Sequence, residues 1–512
     1  MKKLLPLLVI LMACMLYGQP MQGPYTIGNA EADFTDLNAA IQAIHTNGAT
    51  DDIYFYLLPG TYTGPYLIDQ LNLQGNSLLI SSGSYSSAEV VFTNHAATSQ
   101  DNYIINIKNS SNIIIDDLDF APTGSFARCI LVSGDSNNLT FQNNRFFGSG
   151  TSTSNNELIY FISESANDAD NILIQFNQFF GGSYHVVVNA ISSLNNFNTW
   201  TIQANIHTGG FHGIALQRCS NVTIESNTMI DVNKGISLTS NSGTLLIKRN
   251  RLDAWASGID INGYSTNTTP STPNIYNNII RVSGNNWYGG SGSVEATGLT
   301  LSNSQNIYAA HNSVALSSSH SQSYVASING TRNIFRKNHF VNLGGGYSLN
   351  FTNTAPGVTN RNLVEFNNLY ASSTNLGRSS NTYFRDINEM IPLFDSFNAD
   401  FNPFFEDAHL RTSAPRLNNL GPYAGVDEDF FGNPRSSTDP DIGAHEYDID
   451  LFDPLLAPME GSYTIGIGGD YITVNSFARD LAFRGINNPI TAYLSEAIYD
   501  EQVIFDRIPG SG

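Results

Sequence analysis

Charged residues are scarce in this chain: only 13% of its 512 residues are Asp, Glu, Lys or Arg. The 44 acidic residues outnumber the 23 basic ones, which leaves a net charge of -21 at neutral pH. Nucleic acids and anionic membranes attract proteins through clustered basic side chains. The composition therefore argues against both kinds of partner, and neutral Asn, Ser, Thr and Gly must provide most of the polar surface.

Cysteine and long apolar runs are also rare. Cys14 lies in the N-terminal leader, so only Cys129 and Cys219 remain. Two cysteines allow one disulfide at most and no disulfide framework, which favours two buried free thiols. After the leader no run of 18 or more apolar residues occurs, so the sequence predicts no transmembrane helix.

The leader itself reads "MKKLLPLLVILMACMLYGQ" over residues 1–19. Two lysines, an apolar stretch too short to cross a bilayer, and then small and polar residues are typical of a signal peptide. The sequence therefore predicts an exported protein, either secreted or at the cell surface. The stretch "LMAC", which ends at Cys14, leaves lipid anchoring open as an alternative.

Asparagine, in contrast, recurs at one place in a repeated pattern. "NNLTFQNNRFFG" from Asn137 returns as "DNILIQFNQFFG" from Asp170 and as "SNVTIESNTMID" from Ser220. Each copy has alternating apolar residues, an Asn three residues after the last of them, and another apolar residue two positions later. The recurring residues are Asn144, Asn177, Asn205, Asn227, Asn250, Asn278, Asn312 and Asn338, and the shortest interval between them is 22 residues.

A second strand pattern lies between these copies. The stretches "HGIALQ", "KGISLT", "SGIDIN" and "TGLTLS" alternate apolar with small or polar residues, which is typical of half-buried strands. Each repeat then holds three short strands, with no helical periodicity between them. Such short repeats predict an all-β solenoid, a parallel β-helix whose coils stack about 4.8 Å apart.

The recurring Asn falls at the bend between the second and third strands of each coil. Asn tolerates left-handed backbone angles, so we expect it to adopt them at this bend. Stacked side-chain amides can also donate and accept hydrogen bonds from coil to coil. We therefore interpret the Asn series as a structural ladder and not as a catalytic feature.

The first coil needs a cover, because an open coil exposes unpaired strand edges. "DFTDLNAAIQAI" predicts a capping helix with Thr35 as its N-cap. Leu37, Ala40, Ile41 and Ile44 share one face of that helix.

The C-terminal part of the chain repeats its beginning. "GSYTIGIGGDYITVNSFARDL" from Gly461 resembles "GPYTIGNAEADFTDLNAAIQAI" from Gly23. We therefore predict a signal peptide over 1–19, a β-helix domain with its C-terminal cap over 23–447, a linker over 448–460, and the start of a second β-helix over 461–512. On this interpretation the sequence is the front part of a longer protein.

The coil pattern and the "GPYTIG" start resemble the right-handed parallel β-helix family, the pectate-lyase-like superfold. The stretch from "SAPRLNNLG" to "DIGAHEY" looks like the terminal motif of secreted bacterial members. That superfold hosts lyases, hydrolases, epimerases, adhesins and stalks, so the resemblance implies a fold more strongly than an activity. Of the family's active-site motifs, only the Gly-His-Gly of galacturonase-type hydrolases has a partial counterpart here. It is "FHG" at Phe211, and no pair of acids lies beside it.

In members of this superfold the first strand of each coil commonly floors a saccharide groove. Here its outward positions are small and neutral, with one carboxylate at Asp260. Aromatic rings beside Asp and Asn are suited to sugar rings, and long insertions are often functional. The predicted glycan-binding residues are Trp255, Asp260, Asn262, Tyr264, Trp287, Tyr288 and Glu295. The alternative is an ordinary solvated sheet face.

Two weaker features complete the candidate sites. Tyr184, His212, Arg218 and Lys234 could stack into a basic ledge, although the strand alternation turns His212 inward. Six acids near the end of the first domain could hold calcium, but their spacing matches no calcium loop and a solvated acidic turn is favoured. These acids are Asp427, Glu428, Asp429, Asp439, Asp441 and Glu446. No other metal or cofactor is predicted.

The sequence thus predicts an exported β-helix protein that engages extracellular polysaccharide. A binding module is favoured over a catalyst, because no acid/base pair can be named. A polysaccharide lyase or epimerase that uses Lys234, His212 or Arg218 is one alternative. An adhesin or a structural surface stalk is the other.

Overall fold

The computed structural model describes most of the chain after the leader. The described residues are 19–83, 87–96, 98–149, 154–163, 169–190, 197–265, 271–285, 293–355, 359–390, 422–446, 458–466, 469–471, 474, 477, 478, 481, 485–495, 503, 505 and 508. Residues 1–18 with Cys14, and most of the predicted linker, lie outside them. The chain divides into two compact units, Met1–Asn205 and Ile206–Gly512.

The first unit holds one α-helix, one 3₁₀ turn and 17 strands among its described residues. The helix is α1 (Leu37–Asn47) and the 3₁₀ turn is Ser87–Glu89. The strands are β1 (Met21–Ile27), β2 (Ala49–Leu57), β3 (Gly60–Thr63), β4 (Tyr66–Asp69), β5 (Leu78–Ser81), β6 (Val90–Thr93), β7 (Ile105–Lys108), β8 (Ile113–Asp116), β9 (Asp119–Phe120), β10 (Ile130–Ser133), β11 (Leu139–Gln142), β12 (Arg145–Phe147), β13 (Ile159–Ile162), β14 (Ile172–Gln175), β15 (Gln178–Phe180), β16 (Tyr184–Asn189) and β17 (Phe197–Gln203).

These strands wind as successive three-strand coils. The first strands of the coils form sheet A, in the order β4, β7, β10, β13, β16. The second strands form sheet B, in the order β1, β2, β5, β8, β11, β14, β17. The third strands form sheet C, in the order β3, β6, β9, β12, β15. Every pairing is parallel, as the repeat spacing predicts.

Helix α1 lies at the N-terminal end of the first unit and contacts β1 and β4. Its apolar face is buried as predicted, with Leu37, Ala40, Ile41 and Ile44 at no more than 1% exposure. The predicted N-cap was wrong by one residue. The cap is Asp36, whose carboxylate accepts from the Ala39 N–H at 2.9 Å. This is the bond that an N-cap side chain supplies to the first turn of a helix.

Aromatic rings fill the core of the first unit along sheet C. Phe92, Phe120, Phe146 and Phe179 come from successive coils, and their ring centroids lie 5.3, 5.0 and 5.0 Å apart. Stacked rings at this spacing follow directly from the coil repeat. Cys129 of the same unit and Cys219 of the second unit are both buried thiols that form no disulfide, so the prediction of two buried thiols is confirmed.

The second unit begins with β18 and contains the short helix α2 (Ile387–Met390). Its strands are β18 (Ile206–Thr208), β19 (His212–Gln217), β20 (Cys219–Glu225), β21 (Thr228–Thr239), β22 (Ser242–Lys248), β23 (Arg251–Asn262), β24 (Ile275–Tyr276), β25 (Ile279–Val282), β26 (Thr297–Gln305), β27 (Tyr308–Ala310), β28 (Ser313–Leu316), β29 (Tyr324–Thr331), β30 (Ile334–Arg336), β31 (His339–Asn342), β32 (Tyr347–Phe351), β33 (Leu363–Glu365), β34 (Asn368–Ala371), β35 (Gly377–Ser379), β36 (Thr382–Phe384), β37 (Met459–Ile465) and β38 (Ile486–Leu494).

The coils of the second unit have the same three sheets. Sheet A runs β19, β21, β23, β26, β29, β32, β35. Sheet B runs β20, β22, β24, β27, β30, β33. Sheet C runs β18, β21, β23, β25, β28, β31, β34, so the long strands β21 and β23 belong to both C and A. Strand β36 turns back antiparallel along β35.

The Asn residues stack at the bend between sheets B and C, which confirms the predicted ladder. In the second unit Asn250 donates from its backbone N–H and from Nδ2 to Oδ1 of Asn278, both at 3.0 Å. The same pair of bonds joins Asn227 to Asn250, and Asn144 to Asn177 in the first unit. The side-chain oxygen of each Asn therefore accepts from the backbone N–H and from the side-chain amide of the preceding Asn in the row.

The left-handed residue at this bend is not the Asn, which corrects the expectation from sequence. It is the residue before it, with φ between 52° and 56° at every ladder bend. Its identity varies freely: Asn143, Phe176, Ala204, Ser226, Arg249, Asn277, His311, Lys337 and Phe366 occupy the position. A left-handed backbone at so many non-glycine types is rare. We infer that the amide ladder holds the bend whatever side chain precedes it.

The repeat near residue 461 has a counterpart in local structure. Thr26 and Asp33 are joined by hydrogen bonds. The N–H and the hydroxyl of Thr26 donate to Oδ2 of Asp33 at 2.8 and 2.9 Å. Thr464 and Asp470 repeat this arrangement at 2.7 and 2.8 Å. Strands β37 and β38 pair in parallel with the same type of register shift as β1 and β2. The predicted domain boundaries themselves remain a prediction.

No helix among the described residues is long and apolar enough to cross a membrane.

Candidate functional site

The outer face of sheet A in the second unit carries the polar residues singled out from sequence. We call this surface, formed by the outward residues of β19 to β35, the A face. One column runs straight across it, with its members in register on adjacent strands: Ala215, Ser237, Asp260, Thr300, Ser327, Asn350 and Arg378. Neighbouring strands are about 4.8 Å apart, so the column has one side chain at each step. Thr300 and Ser327 in its middle are only 4% and 2% exposed.

A second column begins each strand of the A face. Its members in register are His212, Lys234, Ser257, Thr297, Tyr324 and Tyr347. Each column has a hydrogen bond between two adjacent members. Thr297 Oγ1 donates to Ser257 Oγ, and Asn350 Nδ2 donates to Ser327 Oγ, each at 3.1 Å.

Asp260 is the one carboxylate in the columns of the A face. Burial raises the pKa of its carboxyl group, and the charge of Lys234 opposes that rise. Lys234 itself sits over the ring of Phe211, with 5.9 Å between Nζ and the ring centroid. An acid whose charged form is disfavoured costs stability at neutral pH, and such costs are concentrated at functional sites.

A group of tyrosines and one arginine occupies the C-terminal end of the face. The rings of Tyr324 and Tyr347 stack with their centroids 5.8 Å apart at an interplanar angle of 20°. The guanidinium of Arg378 lies 6.0 Å from the ring centroid of Tyr347 and 5.4 Å from that of Tyr383. Burial raises the pKa of Tyr324 to about 12, so its hydroxyl remains a neutral donor at physiological pH.

Arg378 is fixed by three polar contacts. It donates from Nη1 to Gln322 Oε1 at 2.9 Å and to the Tyr347 hydroxyl at 3.3 Å, and from Nε to the Ser380 carbonyl at 2.7 Å. The exposed carboxylate of Glu295 acts electrostatically on Tyr324, Tyr347 and Arg378. Opposite charges and aromatic faces therefore converge at this end of the A face.

Comparison with known families bears on the fold. A family model described as a right handed beta helix region matches residues 104–280. Together with the parallel three-sheet coils and the Asn ladder, this match decides the architecture. The fold is a right-handed parallel β-helix. The predicted parallel β-helix is thereby confirmed.

Several solved structures are similar to this β-helix, all at low sequence identity. A periplasmic alginate epimerase double mutant is 12% identical over 68% of this chain and 80% of its own, with a TM-score of 0.39. The DFA-IIIase from Arthrobacter chlorophenolicus A6 is 15% identical over 72% and 86%, with a TM-score of 0.37. Pectate lyase Bsp165PelA from Bacillus sp. N165, in complex with trigalacturonate, is 13% identical over 71% and 82%, with a TM-score of 0.26. No curated protein matches the chain.

The predicted glycan-binding residues do not all reach the A face of the β-helix. Asp260 and Asn262 lie on it at alternate positions of β23, and Glu295 is exposed just before β26. Trp255 is half-buried on the same strand, before the turn into sheet A. Trp287 and Tyr288 lie outside the described residues.

Tyr264 was assigned to the glycan site wrongly. Its ring has 0% exposure, and its hydroxyl donates to the carbonyls of Ser242 and Gly243 at 3.1 and 3.0 Å. A ring that is enclosed on both sides has no face left for a sugar. Tyr264 is therefore part of the core.

The predicted basic ledge does not include Arg218. His212 and Lys234 are neighbours in register, and His212 is buried as predicted. Arg218 follows the far end of β19, about 20 Å along the strand from His212. Tyr184 begins β16 of the first unit and is half-buried.

Three of the six acids named as a possible calcium site have other partners. Asp429 accepts from the backbone N–H groups of Phe431, Asn433 and Glu446. Glu446 pairs with Arg435, and Glu428 pairs with Arg249. Within the described part of the chain, no group of three His, Cys, Asp or Glu side chains is arranged to hold a metal ion.

Tyr324 and Arg378 are residues of the A face that sequence reasoning missed, and so is Tyr347 beside them, whose ring is buried at 1% exposure. Their signal is the alignment of "YVASIN" and "YSLNF" with "TGLTLS", which places both tyrosines in the column of Lys234. Insertions of different lengths separate these stretches, so the column is visible only once the register is known.

Proposed function

We propose that this protein is an exported β-helix that binds an extracellular polysaccharide along the A face. The observation that carries the proposal is the column from Ser237 to Arg378, which is polar at every step and held in register by the coils. A polymer laid along the stacking direction would meet the partly exposed Ser237, Asp260, Asn350 and Arg378, with the buried Thr300 and Ser327 between them. Sugars are bound by such groups together with aromatic faces.

The tyrosine end of the face supplies the aromatic contribution. Tyr383 is 41% exposed, and Arg378 is braced against its ring. The pre-formed geometry lowers the entropy lost on binding, since neither the ring nor the guanidinium must be ordered by the ligand. Glu295 and Asp260 add acceptors for sugar hydroxyls on the same side.

Binding is the favoured function because the columns hold a single carboxylate, Asp260. Hydrolysis of a glycosidic bond needs two carboxyl groups flanking that bond at a defined separation. A polysaccharide lyase or epimerase remains the alternative. Its supporting observation is the raised pKa of Asp260 beside Lys234 on the same face.

Affinity electrophoresis through gels that contain neutral or uronate polysaccharides tests this proposal. We expect retardation by at least one polymer, and about a tenfold loss of affinity in Tyr383→Ala or Asn350→Ala. Tyr493→Ala is the matched control, because Tyr493 is 58% exposed but lies on β38, outside sheet A. Equal retardation of all variants would refute binding at the A face. Ultraviolet absorbance from an unsaturated product would establish the lyase alternative instead.

Trp255→Ala and Trp287→Ala test the part of the hypothesis that came from sequence. If the long insertion joins the A face, both variants should bind less tightly than the wild type. Unchanged retention of both would confine the site to the tyrosine end.

A further inference from the structure

Residues 422–446 form a segment, here called the strap, that lies across the bends between sheets B and C. It contacts the left-handed residues of four successive coils of the second unit. These residues are Arg249, Asn277, His311 and Lys337, each directly before a ladder Asn. Their variety, which the ladder permits, thus provides a specific surface on which the strap docks.

The first half of the strap is held by the two N-terminal members of this row. Arg249 forms an ion pair with Glu428. Asn277 donates from Nδ2 to the carbonyl of Glu428 at 2.6 Å, and its Oδ1 accepts from Nη2 of Arg435 at 2.9 Å. Both side-chain groups of one amide are therefore committed to the strap.

The second half of the strap lies against His311 and Lys337. Lys337 donates from Nζ to the Pro440 carbonyl at 2.6 Å, and its own carbonyl accepts from the Gly443 N–H at 2.9 Å. The Ala444 N–H donates to Ser313 Oγ at 2.9 Å. Ala444 also packs with Ile279, Ala315 and Val341 in a small apolar cluster.

Three cationic or titratable nitrogen groups are enclosed together where the strap docks. The Arg435 side chain has 0% exposure and pairs with Glu446 at 2.9 Å. His311 and Lys337 are both buried at 0% beside it. The charged groups that face His311 and Lys337 are Arg435, Asp439, Asp441 and Glu446 from the strap, and the two residues face each other from adjacent coils. The Arg336–Glu365 ion pair flanks them on the coils.

We propose that the strap is a pH-sensitive clasp, which is docked most tightly at alkaline pH and is released progressively as the pH falls. Docking encloses His311 and Lys337 next to the permanent charge of Arg435. Enclosing a second and a third positive charge there is unfavourable, so docking favours their neutral forms. Protons that bind these groups when the strap is open must be released before it closes.

The sign of the effect follows from the two docked groups. Burial lowers the pKa of Lys337 to about 7, and holds the pKa of His311 well below its usual value, with Arg435 adding to the second shift. When the strap is open, both groups regain ordinary pKa values. Docking therefore weakens as the pH falls from the pKa of a free lysine to about 7. It weakens again as the pH falls below the pKa of a free histidine.

Hydrogen exchange measures this docking equilibrium directly. The amides of Gly443 and Ala444 are protected only by contacts with the coils, so their protection factors, corrected for intrinsic exchange, report docking. We expect a fall of about tenfold per pH unit between pH 9 and 7.5, a shoulder near pH 7, and a second fall below pH 6.5. Amides of β28 should keep their protection across this range. Protection that does not change with pH would overturn the proposal.

Two variants separate the two falls in amide protection. Lys337→Met should remove the upper fall, and His311→Phe should remove the lower one. Lys248→Met is the control, because Lys248 is a partly exposed lysine of the same unit, paired with Glu225 at 2.9 Å, and should leave both falls intact. If Lys337→Met keeps the upper fall, or His311→Phe the lower one, the clasp mechanism is refuted. If a variant stays open at every pH, the wild-type profile and the other variant decide the matter.

Discussion

Replacement of one ladder residue should destabilise the β-helix far more than replacement of its exposed neighbour. In the first unit Asn177 has no exposed surface, and its Oδ1 accepts from the N–H and from Nδ2 of Asn144 at 3.0 and 3.1 Å. Its own Nδ2 donates to the Phe141 carbonyl at 2.8 Å and to Asn205 Oδ1 at 3.0 Å. Nδ2 also donates to the Gln175 carbonyl at 3.0 Å, so the variant Asn177→Leu removes five hydrogen bonds in a buried place.

The expected loss can be counted from the groups left behind. The Asn144 N–H loses its acceptor, while Asn144 Nδ2 keeps the Ile115 carbonyl at 2.9 Å. Asn205 Oδ1 keeps the backbone N–H of residue 177 as a donor at 2.9 Å. The buried N–H of Asn144 is left without an acceptor, and the Phe141 carbonyl loses a donor. Together these two losses cost about 3 kcal/mol. The extra volume of Leu at a tight bend acts in the same direction.

Urea unfolding followed by circular dichroism measures this loss. Gln178→Leu is the matched control: Gln178 is the next residue of the same coil and is exposed, so its replacement should change the stability by less than about 0.5 kcal/mol. Equal stability of the two variants would refute the reasoning, since it would mean that the amide row contributes no more than an ordinary surface side chain.

Three further predictions concern other parts of the fold. In Gly235→Ala the new methyl group would lie 2.5 Å from Leu252 Cδ2 and 2.6 Å from the Gly258 carbonyl, so thermal melting should show a loss of about 2 kcal/mol. Asp36→Ala removes the cap of α1 and should cost about 1 kcal/mol in the same assay, whereas a smaller loss in Asp36→Asn would confirm capping. Asp260→Asn should stabilise the protein at neutral pH, because burial disfavours the charged carboxylate. That gain should disappear in acid, where the wild-type carboxyl group is protonated, and a gain independent of pH would contradict it.

The sequence predicted the repeating elements of the fold because a solenoid imposes the same chemistry on each coil. Asn227, Asn250 and Asn278 each occupy the same bend, so their recurrence was visible without a structure. The left-handed residue was not visible, because it is Ser226 in one coil and Arg249 in the next. A position that the neighbouring ladder stabilises leaves no constraint on its own side chain.

The candidate site was predictable only in part, for a different reason. Asp260 and Asn262 alternate within one strand, so strand periodicity alone placed them on the surface. Tyr324 and the buried Tyr347 lie in register with Lys234 across coils with insertions of unequal length, and only the paired register shows this. Tyr264 is four residues after Asp260, so strand alternation would place it on the same side. The chain turns after Asn262, however, and the ring lies in the core.

The central functional claim is that the A face holds the glycan, and a structure with bound oligosaccharide tests it most directly. An oligosaccharide drawn from whichever polymer retards the protein should lie along the column from Asp260 to Arg378, with a sugar ring against Tyr383. An oligosaccharide found on sheet B or sheet C, with the A face empty, would contradict the account.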